Sequence, residues 1–150
     1  MIQKYIIDGN NLIGKVHDLW KLQKTDKQLA RIKLVKLLDY YFASKKNKIS
    51  LHLDGFAHDS IPSNKIKIYY SKNDSADNKI KQEIDSSNVT KTIAVVSSDH
   101  SVQNYAKVNS CAVINSEEFA KMISEIKQNN SEEEISKSIS NDEMKKLFGL

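Results

Sequence analysis

Apolar residues in this chain fall in short clusters whose spacing switches between continuous runs and a near-helical recurrence. Residues 2–7 close on Ile6-Ile7 before Asp8-Gly9, which predicts a buried strand followed by a tight turn at Gly9. Residues 12–20 predict a short helix with Leu12, Val16, Leu19 and Trp20 near one face, Trp20 plugging the core. Thr25 with Gln28 makes a capping-box pattern, and Leu29, Ile32, Val35, Leu38 and Phe42 extend a helix towards Asn47. Strands are predicted at residues 49–53, 66–70, 93–96 and 112–114. Between them come a surface loop at 55–64, a helix capped by Ser75 that carries Ile80 and Ile84, and a helix at 101–108. A last helix at 116–126 turns Phe119, Met122, Ile123 and Ile126 inward.

Strands alternating with helices predict an α/β fold: a mainly parallel sheet of about five strands covered on both faces. One link departs from that pattern, because the crossover between the second and third strands is short for a helix. Residues 1–126 form the predicted domain. Residues 127–150 turn Ser- and Glu-rich and read as a polar linker, then a short C-terminal helix opened by Ser140 and Glu143 before Met144, Leu147 and Phe148.

Composition narrows the class. At 150 residues, 39% hydrophobic and 28% charged, the chain suits one soluble globular domain. No stretch approaches the roughly 20 apolar residues of a membrane span. Met1-Ile2-Gln3-Lys4 runs straight into the first strand without a signal-peptide pattern, so the cytoplasm is the expected location and no membrane partner is expected. Cys111 is the single cysteine, which excludes an internal disulfide and a cysteine-based metal site; among small apolar neighbours it reads as a buried hydrophobe. The net charge of +4 is uneven, with lysines grouped at Lys45, Lys46 and Lys48 and at Lys65, Lys67 and Lys72. That charge permits a polyanionic partner without demanding one.

The candidate chemistry lies in acids at strand and helix ends. Asp8 and Asp54 each close a predicted strand, Asp77 opens a helix after Ser75, and Asp99 follows Val95-Val96-Ser97-Ser98. The carboxyl edge of an open α/β sheet is where ligand crevices form. Four carboxylates gathered there, with no lysine or arginine beside any of them in sequence, would repel one another unless a cation intervened. Hard oxygen donors suit Mg2+ or Mn2+, and a site of that kind activates water for phosphodiester hydrolysis. The plain structural alternative is that each aspartate caps a helix or ends a strand.

Competing motifs fail on particular residues. Gly9 to Val16 approximates a phosphate-binding P-loop, but Val16 stands where a hydroxyl must hold magnesium. Ser98-Asp99-His100 has triad residues, yet sequence neighbours seldom have triad geometry, so Ser97 and Ser98 read as turn or capping groups. His17, His52, His58 and His100 are too scattered for zinc; His52 reads as a core or sheet-face residue. A phospho-acceptor domain with Asp54 modified would want a second acid after the first strand and a lysine where Asn115-Ser116 stands. An aspartyl-nucleophile phosphatase would want an acid at Asn10.

Taken together, Asp8-Gly9-Asn10-Asn11-Leu12-Ile13, Leu53-Asp54, Ala76-Asp77 with Ile80, Ser98-Asp99 with Gln103, and Ser116-Glu117-Glu118-Phe119 resemble, in order and spacing, the YacP-like branch of the NYN domains, which are PIN-like nucleases. The resemblance covers about residues 2–126. It implies a Rossmann-like three-layer α/β/α sandwich and metal-dependent endonucleolytic cleavage of RNA. Single-stranded RNA, or a loop in a larger RNA, fits the expected shallow acidic cleft beside basic loops, and a ribosome or another ribonucleoprotein is a partner the sequence leaves open. Carried over by residue, the resemblance implies an acidic metal-binding core of Asp8, Asp77 and Asp99. Asn11 would orient a ligand water or phosphate, and Asp54 would complete the catalytic rim. Two positions depart from the family pattern. Asn10 stands where an aromatic residue is common, and Asn109-Ser110-Cys111 replaces a glycine-containing turn. Lys15, Lys45, Lys46 and Lys72 are the expected phosphate-backbone contacts. The alternative function is an RNA-binding module of the same fold that does not cut.

Overall fold

The computed structural model describes residues 1–125. The predicted linker, the second capping box, Ile126 and the boundary beyond it lie outside the described residues. Five strands, β1 (Lys4–Asp8), β2 (Lys48–Leu53), β3 (Ile66–Tyr70), β4 (Ile93–Val96) and β5 (Ala112–Ile114), form one sheet. Its order is β3-β2-β1-β4-β5 and every pairing is parallel. From β1 the chain winds outwards first to β2 and β3, then back past β1 to β4 and β5. The order therefore reverses between β1 and β4, and the crevice of such a sheet opens at that point.

The helices are α1 (Gly9–Ile13), α2 (His17–Leu22), α3 (Lys27–Phe42), α4 (Ala76–Asp85), α5 (His100–Val108) and α6, residues 116–125. Successive strand residues point to opposite faces. Ile7, Leu51, Leu53 and Val96 accordingly join α1, α2, α3 and α6 in one core, while Ile6, Ile93 and Val95 join α4 and α5 in another. In the first core Tyr5, Tyr41, Phe42 and Phe119 form an aromatic cluster that seats α6, with Phe42 and Phe119 rings 6.2 Å apart. Both faces being covered explains why the strands read as apolar runs.

Local differences from the sequence expectations have local causes. The predicted helix at residues 12–20 is two short helices parted at Gly14–Val16, and Trp20 is 41% exposed instead of filling the core, its ring covered by the Lys24 ammonium at 3.6 Å. Asp26, not Thr25, caps α3: its Oδ1 accepts from Leu29 N–H at 3.0 Å, while the Thr25 hydroxyl donates back to Leu22 O. The buried stripe of α3 is Ala30, Arg31, Leu34, Val35, Leu38 and Phe42, which leaves Leu29 outside. Ser75 caps α4 as expected, accepting from Asn78 N–H.

Gly9 does not make a turn. It is the first residue of α1, and a Cβ there would lie 2.6 Å from Leu53 Cδ2 and 2.8 Å from His52 O, so glycine permits α1 to sit directly on β2. Gly55 is the glycine that needs its conformational freedom, with φ +79°. Between β2 and β3 no helix forms. Residues 54–65 cross the end of α3, pinned by Ile61 in the core and by Ser63 Oγ donating to Asp39 Oδ1 at 2.8 Å.

Candidate active site

Asp8 ends β1 on the same face as Ile6, towards α4 and α5. Asp54 follows β2 with the parity of Ser50 and His52, so it too looks towards α4. Asp77 lies in the first turn of α4, and Asp99 is the N-cap of α5. Four elements thus deliver four carboxylates to one side of the sheet's carboxyl edge, astride the switch between β1 and β4.

Their environments differ. Asp8 is only 5% exposed, and its pKa is raised from 3.8 to about 6. Burial is the main cause; a hydrogen bond from Ser97 and the Asn11 backbone N–H oppose it, while the charges of Asp77 and Asp54 add to it. Asp77 is raised as well, by burial and then by the charges of Asp99 and Asp54, with Lys81 pulling the other way. These mutual repulsions link all four groups in one field. The carboxylates do not close into a compact cage: among the described residues no three His, Cys, Asp or Glu side chains converge closely enough to hold a metal by themselves.

Two of the four also do the structural work expected of capping aspartates. Asp99 Oδ1 accepts from Val102 N–H at 3.0 Å, and Asp54 Oδ1 accepts from Ala76 N–H at 3.0 Å at the start of α4. One oxygen of each is thereby committed. Asn11 is committed more fully. Its Oδ1 accepts from Ser98 N–H at 2.9 Å and from Ser116 Oγ at 2.6 Å, tying α1 to the β4–α5 turn and to the start of α6. It positions the site's walls instead of presenting its carbonyl oxygen to a ligand.

Several residues at this edge have supporting contacts that the sequence does not announce. Ser97, fully buried, donates to Asp8 Oδ2 at 3.0 Å and accepts from Asp99 N–H at 3.1 Å, so one hydroxyl holds two of the acids in register. It caps no helix; Asp99 does. Ser98 Oγ donates to Glu117 at 2.7 Å, and Lys15 Nζ stands 3.1 Å from the other Glu117 oxygen. Those contacts hold the Glu117 carboxyl down at about 2, Ser98 contributing most. Asn10, at the position that departs from the family pattern, accepts from Asp54 N–H at 2.8 Å and steadies that residue's backbone. Arg31, the chain's only arginine and 2% exposed, donates to Asp54 O at 2.6 Å and Phe56 O at 3.1 Å. A charged residue in a helical stripe gives no periodicity signal, which is why a sequence reading passes over it.

The expected phosphate contacts divide. Lys15 and Lys72 lie at the carboxyl edge, Lys72 through its N–H to Gly55 O at 2.8 Å. Lys45 and Lys46 lie between the end of α3 and the start of β2, at the opposite edge of the sheet, and the structure does not bring them to the acids. Lys81, one turn along α4 from Asp77 and donating to Ser101 Oγ at 2.8 Å, is a nearer cation. His100 is exposed, Cys111 is buried as expected, and His52 is buried on the sheet face against Glu83. Among the described residues no helix is long and apolar enough to cross a membrane.

The YacP-like NYN domain family matches residues 5–148 of the chain. Among solved structures, the fold matches Rae1 (YacP) from Bacillus subtilis with a TM-score of 0.78 at 18% identity, covering 99% of this chain and 88% of that one. The W164L mutant of the same Bacillus subtilis protein matches with a TM-score of 0.75 at 20% identity, over 97% and 89% of the two chains. No curated protein matches the sequence.

Proposed function

The chain belongs to the YacP-like NYN domain family of PIN-like nuclease domains, whose substrate class is RNA, and from that premise we propose that it is a divalent-metal-dependent endoribonuclease acting at the edge formed by Asp8, Asp77, Asp99 and Asp54. The observation that carries this reading is the delivery of four carboxylates by four elements to one side of the sheet's carboxyl edge, with Asp8 buried beside the others and its pKa raised by burial and by their charge. Such a carboxylate is costly alone and well suited to a cation.

The donor set fits Mg2+ or Mn2+. It is all carboxylate oxygen, and its openness matches ions that keep several waters and take one or two protein carboxylates together with substrate phosphate. Asp8, Asp77 and Asp99 would hold the ion, one or two of them directly and the rest through its waters. Bound there, it supplies a more acidic water and positive charge against the scissile phosphate. The protein's own part is positional. Ser97 fixes Asp8 relative to Asp99, Asn11 holds the turn that presents Asp99, and Asp54 anchors the start of α4 so that Asp77 faces Asp8. Lys15, Lys72 and Lys81 offer cations to backbone phosphates at the rim. Lys45 and Lys46 would reach only RNA that continues to the far edge. Single-stranded RNA or an RNA loop is the proposed substrate, with a ribosome or another ribonucleoprotein as its cytoplasmic setting.

One observation favours a second reading. The absence of a converged three-carboxylate group among the described residues is what a non-cutting RNA-binding module would show. Labelled single-stranded RNA, structured RNA and DNA, incubated with Mn2+, Mg2+ or chelator, separate the two. Metal-dependent RNA cuts that disappear in Asp8→Asn support the nuclease; RNA binding by both proteins with no cleavage under any condition supports the module.

A further inference from the structure

The loop after β2 carries an aromatic residue that neither core claims. Phe56 is 57% exposed, belongs to neither hydrophobic cluster, and stands two residues beyond Asp54. Two residues span at most about 7 Å of extended chain, so the ring is carried from a backbone position close to Asp54. Its backbone is held from three sides. Buried Arg31 donates to the carbonyls of Asp54 and Phe56, Gly55 N–H donates to Ser71 Oγ at 2.9 Å, and Lys72 N–H donates to Gly55 O at 2.8 Å. A guanidinium buried among carbonyl oxygens is costly to maintain, and what it secures here is a fixed loop with an uncovered ring.

The backbone before the ring is uncrowded as well: apart from its chain neighbours, a Cβ built on Gly55 would meet nothing within 4 Å. Trp20 also has an exposed ring, but the Lys24 ammonium occupies its face. No cation or aromatic ring stacks on Phe56 among the described residues. Lys72, whose backbone N–H joins Gly55 O, brings a cationic residue to the same loop junction, and a cation with an aromatic ring is the combination by which single-stranded nucleic acid is gripped without reading its sequence.

We propose that Phe56 is a stacking platform for an unpaired nucleobase flanking the scissile phosphate, with Lys72 taking the neighbouring backbone phosphate. The assignment rests on the ribonuclease reading and extends it to substrate form: bases held in a duplex cannot reach the ring, so the platform selects single-stranded RNA. An Arg31-fixed platform also aligns the strand across Asp54, because the same guanidinium holds both residues.

The test is steady-state cleavage of a single-stranded oligoribonucleotide by wild type, Phe56→Ala, Phe56→Leu and Phe56→Trp, with substrates abasic at each nucleotide flanking the cut. Loss of one base stack corresponds to about a tenfold weakening. Phe56→Ala and Phe56→Leu are expected to raise KM by about that factor with kcat within about twofold, and Phe56→Trp to restore it. With the abasic nucleotide at the stacked position, wild type and Phe56→Ala should become equal. Unchanged KM in Phe56→Ala, full restoration by leucine, or equal sensitivity on every abasic substrate overturns the platform and leaves the nuclease standing. A wild-type protein that neither binds nor cuts RNA overturns both.

Discussion

Replacing Asp8 with asparagine should stabilise the protein while abolishing its chemistry. The Asp8 carboxyl titrates at about 6 in the folded chain against 3.8 ordinarily, a difference that corresponds to about 3 kcal/mol. The sign follows from proton counting. Between pH 3.8 and about 6 the folded protein retains a proton that the unfolded chain has lost, so the Asp8 contribution to stability falls as pH rises through that window. Above it the whole cost of a buried, repelled carboxylate is present. Asparagine has no charge to desolvate and still offers Ser97 an acceptor. In chelator at pH 7.5, Asp8→Asn should therefore unfold about 6–12 °C higher than wild type, taking about 2–4 °C per kcal/mol for a chain of this size. The gain should shrink below pH 6 and vanish near pH 4. Saturating Mn2+ should raise the Tm of wild type and close the gap, because a cation bound to the ionised carboxylate offsets the repulsion. Thermal unfolding by circular dichroism across pH, with chelator and with Mn2+, reads all of this. An asparagine variant less stable than wild type at pH 7.5, or a difference that does not change with pH, would refute the reasoning.

Two other perturbations probe the supports. Arg31→Met removes the donor to Asp54 O and Phe56 O and should cost about 1–3 kcal/mol for each carbonyl left dry, seen as a lower Tm with cleavage reduced at saturating metal; unchanged Tm would mean water replaces the guanidinium freely. Glu83 behaves oppositely to Asp8. Burial pushes its carboxyl up, but hydrogen bonds from His52, Lys4 and Ser50 outweigh that and bring it from 4.5 to about 2. Its contribution, at most about 3 kcal/mol, is present above pH 4.5 and lost as pH falls towards 2. Glu83→Gln should flatten the acid limb of the stability profile, and an acid limb as steep as wild type would count against the network.

Much of this architecture is legible in the sequence because strand and helix periods depend on burial that the whole fold enforces. Ile6-Ile7, Leu51 to Leu53 and Val95-Val96 announce central strands, and Phe119 and Ile123 announce the helix that covers them. Asp8, Asp77 and Asp99 are legible as site candidates because each ends or begins such an element. Less visible are the residues whose role depends on partners far along the chain. Ser97 reaches Asp8 across 89 positions and Asn11 reaches Ser116 across 105, and no local pattern records either contact. Arg31 is hidden for a related reason: its burial is satisfied by backbone carbonyls, which leave no mark in side-chain identity. Lysine clusters mislead in the opposite sense, since Lys45 and Lys46 are conspicuous in sequence and sit at the edge away from the acids.

Asp99 offers the cleanest single test of the nuclease account, because asparagine is as good an N-cap as aspartate and Asp99→Asn should keep α5 intact while removing one carboxylate. The measurement is single-turnover cleavage of one labelled single-stranded RNA by wild type and Asp99→Asn, from chelator through rising Mn2+. Cleavage should be absent in chelator, the wild-type rate should rise and saturate with Mn2+, and the folded variant should be slower by at least about a hundredfold at every concentration, the order expected for loss of one charge-stabilising group. Cleavage that persists in chelator, or an Asp99→Asn protein as fast as wild type, would contradict the nuclease account.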